Sequence, residues 1–196
     1  MERAKDELRE LRLGEKIKAL RLKKGLTIKD VADASGLSKA LISQIENEVV
    51  IPPVATLLKI GKALGVHIGY FFREGDGDTR IEIVRANARK RVKRRFPRGK
   101  DPLSYSYESL AFQKPDKHME PFMVEFDVNI DEDVPKLSHK GEEFVHLIEG
   151  ELEFHTGDDV TRLYPGDSLY FESQIPHAFK GVGNTKARAI VVIYSE

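Results

Sequence analysis

The chain has no cysteine among its 196 residues. That excludes a disulfide framework, a zinc ribbon and a thiol nucleophile, and it suits a reducing cytoplasm. No apolar run approaches the ~20 residues needed to cross a bilayer. The opening residues, MERAKDELRE, do not read as a signal peptide, so a cytoplasmic protein with no membrane partner is expected. Net charge is also absent, because 32 Lys+Arg balance 32 Asp+Glu.

That balance hides a division. Residues 1–100 hold 24 basic and 13 acidic residues, a net +11, and residues 101–196 hold 8 and 19, a net −11. The basic half suits a polyanion, since neutralising phosphates releases counterions. The acidic half should be repelled by DNA. Two jobs, and so two domains, are expected from such a split. A hydrophobic content of 40% and a charged content of 33% fit a soluble chain with an adequate core.

The organising stretch is Thr27 to Asn47, TIKDVADASGLSKALISQIEN. Thr27 is placed to cap a helix, with Asp30 reaching back three residues to complete a capping box. Ile28, Val31 and Ala32 form one apolar face, and Gly36 is suited to a left-handed turn. Ser38 then caps a second helix with Leu41, Ile42 and Ile45 inward and Lys39, Ala40, Ser43 and Gln44 outward. Two short helices joined this way form the layout of a helix-turn-helix reader.

Around this pair, residues 2–24 read as one charged helix with Leu8, Leu11, Ile17 and Leu20 inward. Pro52-Pro53 leads into a helix over 54–64, and a last short helix over 68–72 closes the core, with Tyr70, Phe71 and Phe72 assigned to packing. Glu74 to Thr79 (EGDGDT) marks a boundary, and residues 80–85 (RIEIVR) alternate like a strand. Arg89 to Lys100 carries eight basic residues in twelve positions. That segment suits either a phosphate-contacting arm or an edge strand protected by charge.

From Ser104 the texture changes to about seven short alternating runs separated by turns, which indicates a β-sandwich or barrel. The whole reads as multidomain α + β. It comprises a helix-turn-helix bundle over 1–73, a linker and basic strand over 74–103, and an all-β domain over 104–196.

Over roughly residues 12–72 the chain resembles the phage-repressor-like (XRE-type) DNA-binding domain. The resemblance is carried by Arg21, Gly25-Leu26-Thr27, Gly36-Leu37-Ser38, Ile45-Glu46-Asn47, Pro52-Pro53 and Ala63-Leu64-Gly65-Val66. It implies a lambda-repressor-like bundle in which Arg21 pairs with Glu46. It also implies a DNA-facing set of Thr27, Ile28, Ser38, Lys39, Ala40, Ser43, Gln44 and Asn47. Lys39, Ala40, Ser43 and Gln44 would face base edges, while Thr27, the Ile28 N–H and Asn47 would hold phosphates. A reader of this size is expected to act as a homodimer or higher oligomer on a palindromic double-stranded operator.

Residues 104–195 resemble a small cupin, a jelly-roll barrel. The first cupin motif is matched by Ser138-His139-Lys140-Gly141-Glu142-Glu143 and the run to Glu151. The second is matched by Leu163-Tyr164-Pro165-Gly166-Asp167-Ser168 and Ile175-Pro176-His177-Ala178-Phe179. Metal-binding cupins usually carry a further histidine where Leu137 stands here. His139, Glu143 and His177 remain, a set that suits a divalent Fe, Zn, Mn or Ni ion. His67, His118, His146 and His155 are set aside as ligands.

The joint resemblance is to transcription regulators in which an XRE-type reader precedes a cupin. It implies a small-molecule effector, with Tyr105 and Tyr107 at its pocket, and no enzyme activity. The alternative is a mononuclear iron enzyme of the hydroxypropylphosphonate epoxidase type, which shares this layout. Lys23 and Tyr105 lie in segments comparable to those that assist the chemistry in that family.

Overall fold

The computed structural model describes residues 12–50, 52–73, 80–92, 105–114, 117–128 and 135–194. Five helices come first. They are α1 (Leu13–Lys23), α2 (Ile28–Ser35), α3 (Lys39–Glu46), α4 (Val54–Ala63) and α5 (Gly69–Phe72). Their core is Ile17, Val31, Ile42, Ile45, Leu57, Ile60 and Leu64, all at most 1% exposed. Of the inward positions expected in the first helix, Ile17 and Leu20 are buried, and Leu8 and Leu11 lie outside the described residues. Phe71 and Phe72 are fully buried, whereas Tyr70 is 44% exposed, so only two of those three aromatics serve as packing.

Local chemistry sets the boundaries of α2 and α3. Thr27 Oγ1 accepts from the Asp30 N–H at 3.2 Å and the Asp30 carboxylate accepts from the Thr27 N–H at 2.7 Å, a complete capping box. Gly36 follows with φ +69°, in the left-handed region that ends a helix. Ser38 Oγ then accepts from the Leu41 N–H at 3.1 Å to start α3. A side chain on Gly14 would run into the Ile45 carbonyl oxygen, so α1 and α3 cross closely because that position has none.

One buried ion pair ties these helices together. Arg21 Nε and Nη2 donate to the two Glu46 carboxylate oxygens at 2.5 and 2.8 Å. The side chains are 8% and 2% exposed. The forked geometry satisfies both oxygens, which offsets the desolvation of two charges.

The β part forms two antiparallel sheets facing each other. The larger has the order β1 (Lys90–Val92), β2 (Tyr105–Ser109), β3 (Met119–Phe126), β9 (Ala187–Tyr194), β4 (Glu142–Glu149), β7 (Ser168–Glu172). The smaller has the order β6 (Asp159–Leu163), β5 (Glu151–Thr156), β8 (His177–Val182). Alternate residues of β3 and β9, such as Phe122, Val124, Ala189 and Val191, are buried between the layers. The sheets are not joined into a closed barrel among the described residues, so the domain is a jelly-roll-like sandwich.

Two expectations change. Residues 80–85 form no strand: Ile81 and Ile83 are 83% and 70% exposed. Between them the Glu82 carboxylate accepts from the backbone N–H groups of Phe112, Gln113 and Lys114 at 2.8–3.0 Å. The alternation there reflects one side chain pinned to a loop, not pairing with a neighbour strand. Second, β6 makes an eighth strand after Ser104 beside the seven or so alternating runs, because Asp159 to Leu163 offer little apolar alternation to detect. The described part of the basic segment is the edge strand β1, one of the two forms expected for it. Its Arg91 Nε lies 2.9 Å from Glu108 on β2, and Arg89 Nη1 lies 3.6 Å from the same carboxylate.

The two halves meet along β2, β3, α4 and α5. Tyr107 Oη donates to the Pro52 carbonyl at 3.1 Å, and Tyr105 Oη accepts from the Val54 N–H at 3.3 Å. That N–H opens α4 and has no partner inside its own helix. Phe72, Tyr107 and Phe122 stack in tilted and edge-on contacts with centroids 5.5–6.2 Å apart.

Candidate DNA-reading helix and metal centre

On α3, Lys39, Ala40 and Gln44 are exposed and Ser43 is half-buried, while Ile42 and Ile45 are buried. The helix therefore presents one apolar face to the bundle and a short-chain polar face to solvent. Thr27 and Ser38 are exposed at the two helix starts with their hydroxyl oxygens already accepting cap hydrogen bonds. Ile28 is half-buried and packs against the core. Asn47 ends α3, its amide donating to the Ser43 carbonyl at 2.8 Å.

The second cluster forms where three backbone segments are tied together. Leu137 and His177 exchange backbone hydrogen bonds of 2.8 and 3.0 Å, and the His139 N–H donates to the Ser173 carbonyl at 3.0 Å. These bonds hold the Leu137–His139 segment against the start of β8. Glu143 enters from β4, where it faces Phe171 and Ile193 across the sheet. His139 Nε2 lies 2.6 Å and His177 Nε2 3.4 Å from the same Glu143 Oε1.

Each ring has its other nitrogen beside a backbone carbonyl: His139 Nδ1 is 3.1 Å from the Lys140 oxygen, and His177 Nδ1 is 2.8 Å from the Ile175 oxygen. A carbonyl can only accept, so Nδ1 carries the proton in each neutral ring. Two Nε2 lone pairs and a carboxylate oxygen are thus aimed at one another, all within 4.8 Å. Three acceptors can face each other only around a proton or a metal cation.

Without a metal, protonation follows that logic. Burial pushes the Glu143 carboxyl up, but hydrogen bonds from His139 and His177 outweigh it and hold the group below its ordinary value. Burial likewise lowers His177, yet the Glu143 carboxylate reverses the balance and raises it. His146 points elsewhere, to Ser168 Oγ at 2.9 Å, and His155 pairs with Glu153 at 3.2 Å.

A cavity of about 90 Å³ adjoins the cluster. Tyr105 lines it. Tyr107 does not: its ring is 2% exposed and its hydroxyl donates to the Pro52 carbonyl, where it joins the two halves. Lys23 is exposed at the end of α1 and also does not line the cavity. Sequence reading missed Val54 and Ala55, which contribute to the wall from the start of α4. Nothing in their sequence marks them, since the contact exists only because the helical half packs on the sandwich.

The helix-turn-helix family model matches residues 17–71, and the cupin domain model matches residues 124–193. The chain is 25% identical over 174 residues to the HTH-type transcriptional regulator PuuR of Escherichia coli (strain K12), covering 89% of this chain and 88% of that protein. The chain carries a helix-turn-helix domain followed by a cupin domain. The fold also matches a crystallised HTH_3 family transcriptional regulator from Vibrio cholerae. The TM-score there is 0.63 at 24% identity, covering 95% of this chain and 96% of that one. The structure of HppE carrying iron(II) matches with a TM-score of 0.50 at 25% identity, covering 94% and 99% of the two chains. No described helix is long and apolar enough to cross a membrane.

Proposed function

We propose that this cytoplasmic regulator reads an operator with α3 and adjusts that reading through a divalent metal held by His139, Glu143 and His177. The observation that carries the reader is the polar outer face of α3 beside two capped helix starts. Gln44 suits a bidentate contact to adenine, and Lys39 suits donation to guanine. Thr27, Ser38, Asn47 and the Ile28 N–H suit phosphate contacts that fix register, and Ala40 and Ser43 leave room for close approach. A two-fold dimer on a palindromic site supplies the affinity that one reader lacks.

The metal proposal rests on the three converging acceptors. Such an ion acts as a cationic cross-link between β4, β8 and the Leu137–His139 segment, and it would fix the wall to which Val54 and Ala55 belong. Since Pro52 and Val54 follow α3 closely and are held by Tyr107 and Tyr105, occupancy at the cluster would bias the orientation of the reading helix. That bias requires the ion or an effector to bind the two arrangements unequally.

Fluorescence anisotropy against the chain's own upstream DNA tests the reader, with a scrambled duplex as control. Preference for the natural duplex that is lost in Gln44→Ala supports the proposal. Equal affinity for both duplexes, with and without metal, removes it. The epoxidase-like reading is favoured by one observation, the match of the triad's residue types to an iron site and of the fold to iron(II) HppE. Iron-dependent oxygen consumption in the presence of a hydroxyalkylphosphonate would establish that reading instead.

A further inference from the structure

A larger cavity, about 630 Å³, lies between the two halves. One wall is α4 and the turn after it, with Lys59, Lys62 and His67. The other is the cupin turn that holds Lys140. Among the described residues no carboxylate lines this space. Among the described residues Lys29 lies 2.6 Å from Asp33, Lys117 3.1 Å from Glu120 and Lys186 2.9 Å from Glu125. Lys59, Lys62 and Lys140 have no ion-pair partner among the described residues.

Like charges gathered in one crevice repel. Leu58 and Val66 add an apolar floor. The volume falls in the range of metabolite pockets, ~300–1,000 Å³, whereas the cavity beside the metal cluster is about 90 Å³.

We infer that this crevice is a second ligand site, for a small organic polyanion bearing carboxylate or phosphate groups. Its charged groups bridge Lys59 and Lys62 of the reading half to Lys140 of the cupin half, and its carbon skeleton rests on Leu58 and Val66. Because the ligand touches both walls, it favours the arrangement in which the crevice is closed and so couples metabolite level to the position of α4. His139 of the triad also lines this crevice, so binding is read on the metal-free protein. The site does not require the bases read by α3, so its loss leaves operator preference intact.

Calorimetric titration of the full-length, metal-stripped protein tests it, with citrate in one arm and fructose 1,6-bisphosphate in the other. Saturable one-to-one binding of either probe is expected, and the arm that binds distinguishes carboxylate from phosphate. Lys62→Ala and Lys140→Ala, one on each wall, should each weaken binding about fivefold or more through loss of a charge-assisted contact. Lys39→Ala, on the outer face of α3, should leave it unchanged. Three results would overturn the site: no heat from either probe at about 10 mM, weaker than any specific complex of this kind; undiminished binding in the Lys62→Ala/Lys140→Ala double variant; or equal loss in Lys39→Ala.

Discussion

At the residue scale, the Arg21–Glu46 pair is the interaction most sensitive to single substitution. Glu46→Gln leaves a buried guanidinium facing a neutral amide, so a loss of about 3 kcal/mol or more is expected in urea unfolding. Thr27→Ala removes only the exposed cap acceptor and should cost about 1 kcal/mol. Both pairings were readable in the sequence, because cap spacing is local and the Arg21–Glu46 pair belongs to a recurrent pattern. The grouping of His139, Glu143 and His177 was readable on the same ground. Glu82's hold on three backbone N–H groups was not, since its partners lie about thirty positions away with no spacing rule to join them.

Two buried acids give this protein a pH signature. Glu120 sits beside Lys117 and the Gly69 backbone, and burial pushes its carboxyl up to about 7 from an ordinary 4.5. Between those values the folded state keeps a proton that the unfolded chain has released. Stability should therefore fall as pH rises from about 4.5 to 7 and level off above, by roughly 3 kcal/mol at most. In Glu120→Gln that slope should disappear from the difference between variant and parent in urea titrations.

Glu143 and His177 behave in the opposite sense to each other. The lowered Glu143 contributes fully above 4.5 and loses its contribution as pH falls, while the raised His177 contributes fully below 6.5 and loses it as pH rises. A metal must displace the His177 proton, so its affinity should climb between pH 6 and 8. Metal titration at the two pH values checks this, and Glu143→Gln should abolish the tight phase.

At the scale of elements, the relation between α3 and α4 matters most. The first N–H of α4 is capped by a hydroxyl from β2, across the boundary between halves. Tyr105→Phe should cost about 1 kcal/mol in stability. It should also reduce the change in operator affinity that metal produces, while leaving metal-free affinity near the parent value. Anisotropy titrations with and without metal separate the two effects. Helices and paired strands with clear apolar periods were visible in the sequence. Residues 80–85 mimicked a strand by alternation alone, and β6 lacked the alternation that would reveal it. Both misreadings arise because pairing partners, not local pattern, decide whether an extended segment joins a sheet.

For the whole molecule, the separation of +11 from −11 along the chain matches a helical reader set before an acidic sandwich. Operator affinity should fall steeply with salt, because counterion release scales with the phosphates neutralised. Composition and motif together disclosed that division before any coordinate was known. They could not disclose how the halves dock, because the Tyr105–Val54 and Tyr107–Pro52 contacts have no counterpart in periodicity or composition.

The central claim is that α3 reads sequence. Its most direct test is anisotropy of the full-length protein on its own upstream duplex and on a scrambled duplex, with the parent and Gln44→Ala compared at one salt concentration. The parent should prefer its own duplex by at least about tenfold, and Gln44→Ala should lose most of that preference while keeping scrambled-DNA affinity. An unchanged preference in Gln44→Ala and in Lys39→Ala would contradict the assignment of base reading to this helix.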